Sequence, residues 1–128
     1  MQRSFPTTRL RRNRFSEFSR RLVRENTVSA ADLIYPIFII EGENIREPVT
    51  SMPGIDRLTI DLLIEEARRA FDAGIPMIAL FPNIDQALRT PEGEQAWNPD
   101  GLVPRAVRAL KEALPELGVM TDAALDPY

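Results

Sequence analysis

Three apolar segments of the chain predict buried strands. Residues 33–40 form an unbroken apolar run, which is typical of a parallel strand buried on both faces. A shorter run covers residues 76–81, and a third strand begins at about Val119. Between them, apolar residues recur every three or four positions, which predicts helices that each bury one face. The first helix covers residues 59–73, and the second begins after Asp100, which we expect to cap it.

The remaining segments are predicted to be loops and an amino-terminal arm. Residues 41–58 are rich in glycine, proline and charge and are predicted to be a loop, and residues 83–100 form a polar connection. Residues 1–14 have no apolar periodicity and predict an extended arm. Residues 15–24 repeat apolar side chains at helical spacing and predict a short helix.

The order strand, helix, strand, helix, strand predicts an α/β fold with parallel strands and right-handed crossovers. Three strands leave both sheet edges open, and a buried parallel sheet needs cover on both faces. A (β/α)₈ barrel has about 250 residues. We therefore expect the opening portion of a (β/α)₈ TIM barrel: an amino-terminal arm at residues 1–32, and the first strands and helices of a truncated barrel at residues 33–128.

Charge is distributed unevenly along the chain. Residues 1–24 contain eight arginines and one acid, a net charge of +7, which leaves −10 for the rest of a chain whose net charge is −3. A basic arm on an acidic body could bind nucleic acid, a membrane surface or the acidic body of a second copy. No nucleic-acid recognition module follows the arm, which makes nucleic acid the lesser choice. No apolar run suits a membrane span or a secretory signal, so a cytoplasmic location is expected.

The chain contains no cysteine and no histidine. Within it, this excludes disulfides, thiolate or imidazole metal ligands, and nucleophile pairs that need histidine. A metal would take oxygen ligands, as magnesium does. The one lysine, Lys111, falls on the polar side of the second helix and is predicted to be a solvated surface charge.

Candidate functional residues lie where strands end, because α/β enzymes place their chemistry at the carboxyl ends of parallel strands. Asp122 and Asp126 follow the third strand. Alternatively, Asp122 is a strand-end acid that accepts backbone hydrogen bonds and Asp126 begins a turn. Phe81 ends the second strand, where it could line a pocket or belong to the core.

Nine short stretches of the chain carry a family pattern. They are residues 11–14 (RRNR), 22–25 (LVRE), 32–36 (DLIYP), 41–44 (EGEN), 51–54 (SMPG), 79–82 (ALFP), 98–102 (NPDGL), 105–111 (RAVRALK) and 122–128 (DAALDPY). In this order along the chain, they resemble the amino-terminal part of the 5-aminolevulinate dehydratase (porphobilinogen synthase) family.

The resemblance implies a (β/α)₈ barrel whose oligomerisation arm, residues 1–32 here, wraps a partner subunit, commonly in octamers. The expected partner of the arm is then a second copy of the chain, and neither nucleic acid nor a membrane. The arm residues would be Arg9, Arg11, Arg12 and Arg14. The family condenses two 5-aminolevulinate molecules into porphobilinogen, with loss of two waters, on the route to haem and other tetrapyrroles. Its members use two lysines that form Schiff bases with the substrate.

The resemblance also implies roles for individual residues. Asp122 matches the family's acid beside the substrate pocket, which makes it a catalytic and substrate-binding candidate together with Phe81. Some members bind zinc through three cysteines, and the first two positions are Ala124 and Asp126 here. This departure implies the magnesium-using branch rather than zinc, with Asp126 as a metal ligand.

Both Schiff-base lysines of the family fall after Tyr128, and Lys111 matches neither. The 128 residues alone are therefore expected to be inactive. The alternative is a non-catalytic assembly fragment that docks on full-length subunits.

Overall fold

A computed structural model describes residues 3–123 and residue 125. Its centre is a five-stranded mixed sheet with the order β2-β3-β1-β4-β5. The strands are β1 Ile34–Ile39, β2 Arg46–Pro48, β3 Asp56–Leu58, β4 Met77–Pro82 and β5 Gly118–Thr121. The helices are α1 Glu17–Leu22, α2 Ile60–Asp72 and α3 Leu102–Ala113.

The predicted alternation of strands and helices is confirmed. Strands β1, β4 and β5 run parallel, and α2 and α3 lie on the connections that lead into β4 and β5. Tyr35 pairs with Ile78, which in turn pairs with Val119, so the three strands are aligned along their length. The helix and strand bounds lie within a few residues of those predicted.

The prediction that residues 41–58 form a loop is wrong, because this segment contains a hairpin made of β2 and β3. Strand β3 runs parallel to the last part of β1, and β2 runs antiparallel to β3. Glu47 lies opposite Arg57 and forms an ion pair with it. Arg46 donates to Asp56 at 2.9 Å. Charged cross-strand pairs such as these stabilise strands that have little apolar content.

The prediction that Asp100 caps the second helix is also wrong. Gly101 occupies the cap position of α3 and makes no side-chain capping bond. The side chain of Asn98 accepts a hydrogen bond from the Asp100 N–H at 3.0 Å, and the Gly101 N–H donates to the Asn98 carbonyl, also at 3.0 Å. The turn built by Asn98 therefore moves the cap position one residue past Asp100, and α3 begins at Leu102.

The core lies on one side of the sheet. Leu63 of α2 and Leu110 of α3 are fully buried and join Ile39 and Ile78 of the sheet in one apolar cluster. The alternate residues of the strands point the other way, onto what we call the open face. It comprises Ile34, Pro36, Phe38, Met77, Ala79, Phe81 and Met120.

The open face corrects the prediction that the first strand is buried on both faces. Ile34 is 48% exposed, and Met120 on β5 is 44% exposed. Among the described residues, α2 and α3 pack on the core side only. The barrel itself stays a prediction, since this sheet is open at β2 and β5.

The arm is less extended than predicted. The Thr8 N–H donates to the Ser4 carbonyl at 2.8 Å, which closes a turn, and a short 3₁₀ helix covers Arg12–Arg14. Helix α1 is shorter than the predicted 15–24, and its side chains Phe18 and Leu22 are 70% and 81% exposed. No helix in the described part of the chain is long and apolar enough to cross a membrane.

Candidate active site at the carboxyl ends of β4 and β5

A cleft of about 200 Å³ opens on the sheet at the carboxyl ends of β4 and β5. Its lining is mainly apolar, with one carboxylate. The lining residues are Ala79, Leu80, Phe81, Met120, Thr121 and Asp122.

The strand register explains why Phe81 and Asp122 meet in this cleft. Leu80 pairs with Thr121, so the next residue of each strand comes to the same level. Side chains alternate between the two faces of a strand, and Asp122 therefore follows Met120 onto the open face. The structure thus brings together the two residues that the sequence placed at strand ends, with Phe81 39% exposed and Asp122 exposed.

Phe38 is a neighbour that the sequence did not single out. It pairs with Phe81 in the register of β1 and β4. The two ring centroids are 6.1 Å apart and the rings are inclined by 53°. An unbroken apolar run gives no sign of which face each residue occupies, so only the register could have identified Phe38.

Asp126, the predicted metal ligand, lies outside the described residues, as does Ala124. Within residues 3–123 and 125, no three acidic side chains lie close enough together to hold a metal ion. The predicted metal site is therefore neither formed nor tested by the part of the chain that the structure describes.

A second polar cluster lies on the core side of the sheet, beside α2. The Tyr35 hydroxyl donates to a Glu66 carboxylate oxygen at 3.0 Å, and Glu66 also pairs with Arg69. Burial raises the pKa of Tyr35, and the bond to Glu66 raises it further. The adjoining cleft has a volume of only about 50 Å³, so this cluster ties β1 to α2 and leaves little room for a ligand.

Lys111 lies at the opposite end of the sheet from the cleft. It is exposed, as predicted, and its Nζ also donates to the Leu117 carbonyl at 2.6 Å, just before β5 begins. Asp122 follows the other end of that strand. Four strand residues span about 13 Å, so Lys111 is too far away to form a Schiff base with a molecule held beside Asp122.

The predicted arm arginines lie on exposed grooves. Arg9, Arg11 and Arg14 line one groove of about 530 Å³, and Arg12 lines a neighbouring one. The Arg9 guanidinium lies 5.6 Å from the centre of the Phe5 ring, a cation–π distance. The grooves therefore present guanidinium groups to solvent.

Comparisons with protein families and with individual proteins lead to the same enzyme family. Residues 7–128 match the family described as delta-aminolevulinic acid dehydratase. The Bradyrhizobium diazoefficiens protein of that name is 53% identical over 120 residues, covering 94% of this chain and 34% of the relative. The Synechococcus elongatus protein of that name is 48% identical over 124 residues, covering 97% and 37%.

A solved structure gives the same match in three dimensions. It is delta-aminolevulinic acid dehydratase (porphobilinogen synthase) from Toxoplasma gondii ME49, in complex with the reaction product porphobilinogen. The TM-score is 0.87 at 45% identity, covering 94% of this chain and 34% of that one. The chain thus spans about a third of the length of the relatives it matches.

The family expected from the nine short stretches is confirmed. The match covers every described element from the 3₁₀ helix at Arg12–Arg14 to β5, and it includes both Phe81 and Asp122. The chain belongs to the delta-aminolevulinic acid dehydratase family.

Proposed function

We propose that this chain is the amino-terminal third of a porphobilinogen synthase, which condenses two 5-aminolevulinate molecules into porphobilinogen with loss of two waters. The observation that carries the proposal is the family match over residues 7–128. It is supported by the likeness to a porphobilinogen synthase that holds its product, at 45% identity.

Phe81 and Asp122 supply the part of the substrate site that this chain contributes. At neutral pH, 5-aminolevulinate carries an ammonium group, which a carboxylate beside an aromatic ring attracts by charge and by the ring's electrons. Asp122 would hold that group or accept a proton from it, and the Phe81 ring would form the apolar wall. The two Schiff-base lysines come from the other two thirds of the protein, because Lys111 lies at the wrong end of β5.

The open face supports a closed barrel in the whole protein. Apolar side chains on it, such as Ile34 and Met120, are nearly half exposed, and β5 has no further partner strand among the described residues. In a barrel, further parallel strands would extend the sheet from β5 and enclose this face as the interior. The cleft would then lie at the carboxyl mouth of the barrel, where such enzymes hold their substrates.

We propose magnesium rather than zinc as the metal of this protein. The family is metal-dependent, and this chain offers carboxylate oxygens but no cysteine or histidine. Asp126 would provide one oxygen ligand, together with residues from the rest of the protein. When bound, magnesium supplies positive charge that polarises or orients an oxygen of the substrate.

The arm is proposed to join subunits, in an octamer. Its grooves present Arg9, Arg11, Arg12 and Arg14, and the rest of the chain carries the opposite net charge. Helix α1 adds apolar side chains that the described chain does not cover, since Phe18 is 70% exposed. A second copy provides both the acidic surface and the apolar cover.

The test of activity uses a chimera in which residues 1–128 are joined to the remaining two thirds of the Bradyrhizobium diazoefficiens relative. The chimera should convert 5-aminolevulinate to porphobilinogen, whereas residues 1–128 alone should not. Asp122→Asn should lower kcat at least about 100-fold, since it removes the proposed acid–base group. Asp72→Asn, at the exposed end of α2, is the matched control and should retain full activity. An inactive chimera that is folded would refute the proposed function.

Metal and assembly are tested on the same chimera. Chelation should abolish activity and Mg²⁺ should restore it where Zn²⁺ does not, and Asp126→Ala should raise the Mg²⁺ concentration required. Replacing Arg11, Arg12 and Arg14 by glutamine should reduce the oligomer size measured by light scattering, and the same change at Arg68 and Arg108 should not. An unchanged octamer would exclude the arm arginines as the assembly device.

A further inference from the structure

One row of side chains crosses the open face at the level of the cleft. In the sheet register, Glu47 pairs with Arg57, Arg57 with Phe38, and Phe38 with Phe81. Asp122 follows the last paired residue of β5 and comes level with Phe81. The row therefore runs from an ion pair through two aromatic rings to a carboxylate, all on the same face.

Phe38 occupies the middle of this row without lining the cleft. Its ring is half-buried, and its inclined approach to Phe81 at 6.1 Å is within the range that aromatic pairs prefer. On its other side, the register places Arg57, whose side chain is 29% exposed and is held by Glu47. Phe38 is therefore enclosed from both sides along the row, and its ring limits where the Phe81 ring can go.

We propose that Phe38 is a positioning residue for substrate: its ring holds the Phe81 ring as the wall of the cleft and so sets how a substrate fits beside Asp122. This proposal rests on the proposed function. Because Phe38 acts through Phe81 and makes no contact with the reacting atoms, it affects substrate binding more than the chemical step. Removing its ring would let Phe81 fall back toward β1 and widen the cleft.

The test compares Phe38→Ala with Ile34→Ala in the chimera. Both positions are on β1 and on the open face, but Ile34 lies four residues earlier, about 13 Å further from the cleft. Phe38→Ala should raise KM for 5-aminolevulinate about tenfold or more, with kcat within about threefold of wild type, because losing a wall that substrate and transition state contact alike raises KM and leaves kcat unchanged. Phe38→Tyr keeps the ring and should restore KM, whereas Ile34→Ala should leave KM unchanged.

A double-mutant cycle separates positioning from general loss of structure. If Phe38 works through Phe81, then Phe38→Ala should raise KM little further in a chimera that already carries Phe81→Ala. Additive effects of the two changes, or equal KM values for Phe38→Ala and Ile34→Ala, would overturn the proposal while the wild-type chimera remains active. Loss of activity in the wild-type chimera itself would instead count against the proposed function. Porphobilinogen binding, measured by calorimetry, gives a readout independent of turnover. The affinity should fall in Phe38→Ala and stay close to wild type in Phe38→Tyr and Ile34→Ala.

Discussion

Thr59 is the residue whose replacement tests the local structure most directly. It lies between β3 and α2 and is the one polar residue among the fully buried side chains of the described chain. Its Oγ1 accepts a hydrogen bond from the Ile45 N–H at 3.1 Å, and its own N–H donates to the Ile45 carbonyl at 3.2 Å. These two bonds attach the loop that follows β1 to the start of α2.

Thr59→Val keeps the shape of the side chain and removes only the hydroxyl. The Ile45 N–H would then lose its acceptor in a partly buried position, and the Asp61 carboxylate would lose its bond to the hydroxyl. The lost acceptor alone costs about 1 to 2 kcal/mol of unfolding free energy. Thr59→Ser is the matched control, since it keeps the hydroxyl and loses the methyl group.

The assay is urea unfolding of the chimera and its variants, followed by circular dichroism at a wavelength that reports helix. Thr59→Val should lower the urea concentration at the unfolding midpoint more than Thr59→Ser does. The slope of unfolding free energy against urea concentration should change little. Two results would contradict this prediction: a wild-type urea midpoint for Thr59→Val, or a lower midpoint for Thr59→Ser than for Thr59→Val. Either would mean that the hydrogen bond from Ile45 to Thr59 does not hold the loop.

Two further predictions concern the same region. Gly42→Ala should destabilise the chimera slightly more than Gly54→Ala, although both glycines have positive φ. At Gly42 an added Cβ would lie 2.7 Å from the Ile45 Cδ1 methyl, which would have to turn aside, whereas at Gly54 it would meet nothing within 4 Å. Thermal unfolding of the two variants measures the difference in stability. Equal losses of stability would show that the loop rearranges to relieve the clash. The bond to the Thr59 hydroxyl lowers the pKa of Asp61 below its unfolded value of about 3.9. Ionised Asp61 therefore stabilises the fold above about pH 4, and this contribution is lost as the pH falls through the lowered pKa. The stability difference between wild type and Asp61→Asn should shrink on acidification from pH 6 to pH 3, and a difference that grows instead would contradict the assignment.

The long elements could be predicted from the sequence because each carries its own periodic signal. Helices α2 and α3 repeat apolar residues over three turns, and the parallel strands are apolar runs bounded by turn residues. The β2–β3 hairpin could not be predicted in this way. Each of its strands has three residues, and its stability depends on pairs such as Glu47–Arg57, ten positions apart.

The candidate site was predictable only in part, for a similar reason. Phe81 and Asp122 could be found individually, because Phe81 ends one apolar run and Asp122 follows another, and residues at strand ends are visible in the sequence. Phe38 could not, since nothing in the run 33–40 distinguishes the core side from the open face. The residues on each face depend on which helices cover the sheet, and this is a property of the tertiary structure.

The open face leads to a final prediction about residues 1–128 on their own. It carries apolar side chains that water would contact, among them Phe81 at 39% exposure and Met120 at 44%. Strand β5 also offers unpaired backbone groups, which tend to recruit another chain. The isolated chain should therefore be marginally stable and should self-associate, rather than unfold cooperatively as a monomer.

Light scattering combined with urea unfolding tests this, after denaturing mass spectrometry has confirmed the length of the sample. Met120→Lys gives the sharper comparison, because it places a charge on the open face of β5 itself. In the isolated chain it should reduce self-association, whereas in the chimera the same charge would enter the proposed barrel interior and should destabilise the protein by at least about 2 kcal/mol. A lysine that improved solubility in both contexts would mean that this face stays open to solvent in the whole protein, and the barrel would then have to be abandoned.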